Sequence, residues 1–262
     1  MSRMFGVRAS LSRTTSTWLG VALFVLLGLG WVAASEFGVN HTFLPSPGDV
    51  LSSAYSQYRD QGLLTDIGVS IYRVLVGYAI AAVVAVPLGL LMGSFPAVRA
   101  FFEPVISFIR YMPATAFIPL LVLWVGIDDA QKFSVIFVGT FFHLVLLIMS
   151  TTLNVPLPFV ESAMMLKANR RQILLKVIWP AAKPGIFDNL RVVLGWAWTY
   201  IVVAEIVAAK AGVGYVILKS SRFLDTPAVF VGILSIGLVG MFSDYLLNTL
   251  HGILFPYIKK SR

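Results

Sequence analysis

Residues 161–185 read ESAMMLKANRRQILLKVIWPAAKPG, a basic, helix-forming stretch closed by prolines in an otherwise apolar chain. Pro156 and Pro158 are expected to halt the apolar run that precedes it. Glu161 is then expected in the first turn of a short helix and Lys167 in its last, both charges suiting the helix dipole. A second helix follows from Asn169 as N-cap. Ile173, Leu174, Val177 and Ile178 form its apolar stripe, Gln172 and Lys176 face away, and Pro180 and Pro184 are expected to end it. Arg170 and Arg171 oppose the dipole of that helix by about 0.3–1 kcal/mol each, so an anionic surface outside the helix is expected to offset them.

The rest of the chain says what this insert interrupts. Of 262 residues, 58% are hydrophobic and 12% charged, and the mean hydropathy is +0.86. Ordinary soluble domains are roughly 45–50% apolar, so the composition is that of an all-α, polytopic membrane protein. Cysteine is absent, and His41, His143 and His251 are too far apart to form a local metal motif. Charged residues punctuate six apolar intervals: Arg13 to Glu36, Arg73 to Arg99, Arg110 to Asp128, Lys132 to Glu161, Arg191 to Lys210 with Glu205 inside, and Asp225 to Lys259 with Asp244 inside. Each is near the roughly 20 residues a spanning helix needs.

Lysine and arginine set the orientation. With both termini cytoplasmic, the inner side receives Arg3, Arg8, Arg13, Arg99, Lys167, Arg170, Arg171, Lys176, Lys183, Lys259, Lys260 and Arg262. The outer side receives Arg59, Lys132, Lys210, Lys219 and Arg222, so the balance is twelve to five and obeys the positive-inside rule. The expected organisation is a cytoplasmic segment 1–16, a transmembrane domain 17–258 with a cytoplasmic loop at 155–188, and a cytoplasmic tail 259–262. The net charge of +8 then reflects topology and attraction to anionic membrane lipid, and no basic soluble domain exists to bind nucleic acid. The basic start, apolar run and small residues up to Ser35 also have the grammar of a cleavable signal peptide; the length of the run favours a retained helix.

Between the first two spans, Ser46 can cap and Pro47 can open a helix. Val50, Leu51, Ala54, Tyr55 and Tyr58 recur at helical spacing before Gly62. It reads either as an amphipathic helix on the outer surface or as a packed connector. Gly89 and Gly93, four apart, offer close helix packing, more readily within the subunit than across a dimer seam.

Glu161, Ser162 and Ala163, then Lys167 and Ala168, then Ile178 and Pro180 resemble the EAA motif of ATP-binding-cassette importer permeases. Ser162 stands in the place of an alanine, Lys167 in that of a glycine, and Trp179 in that of a leucine. The stretches FLPSPGDV, FIRYMPATAFIPLLVLWVGIDDAQK and PGIFDNLRVVLGWAWTYIVVAEIVAAKAGVGYVI are similar to the nitrate/sulfonate/taurine-type permeases of that class. The resemblance implies a type I importer architecture in the bacterial inner membrane. It also implies a homodimer, two cytoplasmic subunits that bind ATP and magnesium, and a periplasmic or lipid-anchored binding protein that delivers a small solute. In that family the motif docks on the ATPase, which here makes Glu161, Ser162, Ala163, Leu166, Lys167, Ala168, Arg170, Arg171 and Pro180 the expected coupling residues. Small Ala163 and Ala168 would permit close approach to that partner. If the turn at Lys167 needs positive φ, glycine would suit it better; the alternative expected here is helical geometry with a charge contact.

This chain has no phosphate-binding loop, so no ATP site, cofactor or metal of its own is expected. Its solute is expected to be a small anion such as nitrate, bicarbonate, a sulfonate or taurine, with an uncharged heterocyclic nutrient as the alternative. Polar and aromatic residues inside spans are candidates for the path: Arg110, Phe142, His143, Trp196, Trp198, Tyr200, Glu205 and Asp244. Each also has a structural reading. Arg110 can snorkel to a cytoplasmic end, His143 can satisfy a helix carbonyl, Glu205 can pair with Lys210, and Asp244 can bond a neighbouring helix. An ion-gradient-driven secondary transporter is the competing class, but no internal repeat supports it; a membrane enzyme lacks any catalytic signature.

Overall fold

The computed structural model describes residues 12–38, 40 and 42–258. Arg3, Arg8, His41, Lys259, Lys260 and Arg262, with most of the expected terminal segments, lie outside the described residues. Among the described residues the regular elements are helices throughout.

Helix α1 (Arg13–Phe37) starts at a Ser12 cap and leaves most of its apolar surface exposed. It touches the rest of the chain near its end, where the Trp31 ring stacks on Phe230 at 5.6 Å and its Nε1–H donates to the Pro45 carbonyl at 3.0 Å. Helix α2 (Pro47–Asp60) has a reciprocal capping box between Ser46 and Asp49, with Pro47 in its first turn. Helix α2 has one packed and one exposed face. Val50 and Ala54 pack with Leu63, Val231 and Phe230, whereas Leu51, Tyr55 and Tyr58 remain exposed. Gly62, at φ +72°, turns the chain into α3 (Leu63–Ser94).

Helix α3 starts ten residues before the boundary expected at Arg73, which lies inside the helix and is buried. One face repeats small residues every four positions: Gly77, Ala81, Ala85, Gly89 and Gly93. This stripe lets α3 pack closely on α6 (Asp129–Leu153), its most extensive partner. β-carbons added at Gly77 and Gly89 would meet Ile136 and Ile148 of α6 at 3.0 and 2.7 Å. The glycine pair Gly89 and Gly93 therefore serves packing within one chain.

The third expected span is not one straight helix from Arg110 to Asp128. Helix α4 (Pro96–Ile109) is followed by a 3-10 turn (Ala114–Phe117) and α5 (Ile118–Val125), bent by 82° at the break. Pro113 is the physical cause: it lacks an N–H and disfavours helical geometry in the residue before it. Among the described residues five helices are long and apolar enough to cross a bilayer, or six if the bent pair is counted as one span.

After α6, helix α7 (Leu157–Met165) begins with Pro158 in its first turn. Helix α8 (Arg170–Ile173), a π turn (Leu174–Ile178) and α9 (Trp179–Ala208) form one continuous rod, Arg170–Ala208. The prolines expected to end the second helix do not end it. The wide turn, with the Trp179 N–H bonded to the Leu174 carbonyl, relieves the clash that the Pro180 ring would make one turn back. Pro184 continues inside the helix. The chain then forms α10 (Val213–Arg222) and α11 (Thr226–Leu254), and α11 packs on α2, α9 and α10.

Candidate functional site

The loop that joins the α6 and α9 spans is locked at both of its turns. At the end of α7 the Ala168 N–H bonds the Ala163 carbonyl at 3.0 Å and the Lys167 N–H bonds the Met164 carbonyl at 2.9 Å. These two bonds make a Schellman motif, whose residue after the cap must be left-handed. Lys167 holds that place at φ +56°, so it is not in the last helical turn as the charge pattern suggested. A non-glycine residue costs about 1 kcal/mol there. Asn169 and Gln172 then close a capping box at 2.9 and 2.8 Å, which starts α8.

Two further expectations about this loop change. Glu161 lies in the middle of α7 and is exposed, because α7 starts earlier, at Leu157. Ala163 is buried against Leu90, Ile173 and Ile178, and Ala168 packs at the margin of the same cluster. Their small size serves contact within the chain. The surface left to solvent includes Glu161, Ser162, Met164, Met165, Leu166, Lys167, Arg170 and Arg171; Met165 and Leu166 are each 84% exposed. Pro180 is exposed on the rod itself.

A second locus lies at the α4/α5 break. Arg110, Tyr111, Thr115, Gly139, His143 and Tyr200 line a recess of about 330 Å³. Gly139 and His143 are each ten residues from an end of α6, so Arg110 sits level with mid-helix and not at the end of a span. Snorkelling to a terminus is thereby replaced by a local arrangement. The guanidinium stacks over the Tyr111 ring at 4.8 Å and donates to its hydroxyl at 2.9 Å. Trp196 meets His143 edge to face at 5.2 Å, while the half-buried Phe142 packs against Phe141 in the core.

The remaining path candidates are elsewhere. Trp198 is buried and donates to Ser243 Oγ at 3.1 Å, tying α9 to α11. Asp244 accepts two bonds from Arg191 at 2.5 and 2.8 Å. Glu205 does not pair with Lys210. It is wholly buried and accepts from Arg73 at 2.8 Å, from Ser70 at 2.9 Å and from the Gly214 N–H at 2.9 Å. Arg73 also bonds Asp129 at 2.7 Å, and Lys132 Nζ donates to the carbonyls of Ile127 and Ala208. Gly212, at φ +110°, is required here because a β-carbon would collide with the Glu205 carboxylate. This knot joins α3, α6, α9 and α10 beside a recess of about 780 Å³. Arg73, Lys132 and Ser70 were not singled out from the sequence; the usable signal was Arg73 standing one step ahead of Gly77 on the four-residue stripe.

Six apolar spans, one of them broken around a cationic recess, with a locked polar loop between two of them, define a membrane transport subunit. Residues 85–259 match the family described as binding-protein-dependent transport system inner membrane component, and the chain belongs to it. It is thus an inner-membrane permease subunit of an ATP-binding-cassette (ABC) importer. A protein of Brucella melitensis named "Probable ABC transporter permease protein" is 35% identical over 90% of this chain and 96% of its own length. The taurine transport system permease TauC of Escherichia coli is 31% identical over 98% of this chain and 94% of its own. A chain in an inward-facing crystal form of the MetNI methionine ABC transporter shares the fold, with a TM-score of 0.59 at 19% identity over 71% of this chain and 95% of that one.

Proposed function

We propose that two copies of this chain form the path of an importer for a small anion of the nitrate, bicarbonate, sulfonate or taurine class. A binding protein delivers the solute on the outer side. Two ATPase subunits, which bind the ATP and magnesium, work from the cytoplasmic side, where both termini and the α7–α8 loop lie. The anion class rests on the similarity to the taurine permease and on the cationic recess at the break.

The observation that carries the reading is the continuity of the rod Arg170–Ala208 with the locked loop. Glu161, Ser162, Leu166, Arg170 and Arg171 offer the ATPase a surface of charges around an apolar tip, and Lys167 holds the turn between them. Because the Schellman turn and the capping box leave the loop little slack, a push on α7 moves α8 and with it the whole of α9. Pro180 keeps its place in this transmission through the π turn, without ending the helix.

The experiment is a screen of the cognate binding protein for thermal stabilisation by nitrate, bicarbonate, methanesulfonate, taurine and a neutral pyrimidine. Stabilisation by one of the anions, or by taurine, whose sulfonate is anionic although the whole molecule is a net-neutral zwitterion, supports the reading. Stabilisation by the pyrimidine alone replaces the anion with an uncharged heterocycle.

A further inference from the structure

We propose that the α4/α5 break holds a binding site for a small oxoanion within the permease itself, with Arg110 as the charge-pairing residue. The proposal rests on the importer reading for its biological meaning, but its argument is local. Arg73 and Arg191, which lie inside the spanning helices α3 and α9, have carboxylate partners: Arg73 has Asp129 and Glu205, and Arg191 has Asp244. Arg110 has none. Its Nε is buried without a hydrogen-bond partner, and among the described residues its one side-chain bond is to the neutral Tyr111 hydroxyl.

An arginine deep in a membrane protein is costly unless something compensates it. No carboxylate lines the recess. What does line it are donors: the guanidinium, the hydroxyls of Tyr111, Thr115 and Tyr200, and His143, whose Nδ1 is buried. A neutral imidazole offers that atom as donor or acceptor according to tautomer. At about 330 Å³ the recess lies near the lower end of the roughly 300–1,000 Å³ that ligand pockets span. That is room for an oxoanion with part of its hydration shell.

Two features fix the geometry. A β-carbon on Gly139 would lie 2.5 Å from the Tyr200 ring, so the glycine lets the tyrosine lie flat against α6 beside the recess. Gly139 and His143 lie ten residues from the two ends of α6, about 15 Å of helix, which puts lipid phosphates out of reach. A planar fork of donors suits nitrate or a sulfonate, because both present two oxygens to one guanidinium. The permease then selects charge for a second time, after the binding protein.

The test uses the detergent-purified permease–ATPase complex without binding protein, titrated calorimetrically with methanesulfonate, nitrate and uncharged dimethyl sulfone. Wild type is expected to bind the two anions saturably and not the sulfone. Arg110→Gln should weaken anion binding at least tenfold, Arg110→Lys should retain part of it, and Arg59→Gln, which removes an exposed charge elsewhere, should retain it in full. Equal anion affinity in wild type and Arg110→Gln would overturn the site. So would a lower melting temperature or dimer dissociation in Arg110→Gln with anion binding unchanged, since the arginine would then be paired across copies. Failure of ATP-driven uptake would count against the importer reading and leave this titration decisive for the site. Loss of the site with uptake intact would do the reverse.

Discussion

Glu205 and Arg73, 132 residues apart in the chain, meet at 2.8 Å with the carboxylate wholly buried, and this pair is the pin through α3 and α9. Ser70 and the Gly214 N–H complete the carboxylate's bonds, and Asp129 takes the second face of the guanidinium. Removing Glu205 leaves the buried guanidinium with Asp129 as its one carboxylate, a loss of up to about 3–5 kcal/mol, whereas removing both with apolar side chains of similar volume is far milder. Glu205→Met should therefore lower the unfolding midpoint in detergent sharply, and Arg73→Met/Glu205→Met should recover much of it. Additive losses in the double variant would show that the two residues do not act as a pair.

Lys167 occupies a left-handed position at φ +56°. Lys167→Gly should stabilise the complex by about 1 kcal/mol and leave substrate-stimulated ATP hydrolysis unchanged, because glycine reaches this conformation without a β-carbon clash. Hydrolysis assays in vesicles, paired with thermal unfolding, read both quantities. A loss of stimulated hydrolysis in both Lys167→Gly and Lys167→Gln would show that the ammonium contacts the ATPase.

Glu161 is exposed in mid-α7, so its charge can be reversed without disturbing the core. Glu161→Lys should fold and insert normally yet abolish transport, by uncoupling or releasing the ATPase. Co-purification of the ATPase together with normal uptake in this variant would remove Glu161 from the coupling surface.

Orientation rests on the twelve-to-five distribution of basic residues. A single cysteine at Ser56 in α2 should react with an impermeant thiol reagent applied outside, and one at Gln172 in α8 should react only after the membrane is opened. The opposite pattern inverts the topology.

The six spans and the loop were legible because charges sit at or near the ends of most apolar runs. Where a charge lies inside a helix the rule misplaces the boundary: Arg73 and Lys132 were read as span ends, yet both are buried within α3 and α6. Their compensation comes from residues far along the chain or from backbone carbonyls, which no local pattern displays. Proximity in sequence offers Lys210 as a partner for Glu205, whereas the partner in space is Arg73. The prolines misled because their effect depends on hydrogen-bond register. Pro113 does break a span, whereas Pro180 is absorbed by a π turn whose formation depends on the packing of Ile173 and Ile178 under α7. At Lys167 the resemblance to a motif with glycine was the better guide, since the need for a left-handed residue outweighed the dipole argument.

Uptake into vesicles that contain this chain and its ATPase, with binding protein outside, ATP inside and the labelled solute that stabilises the binding protein, separates ATP-driven import from ion-gradient transport. Accumulation should require ATP, the ATPase and the binding protein together, persist when proton and sodium gradients are collapsed, and vanish in Glu161→Lys. Accumulation driven by an ion gradient without ATP would make the protein a secondary transporter instead.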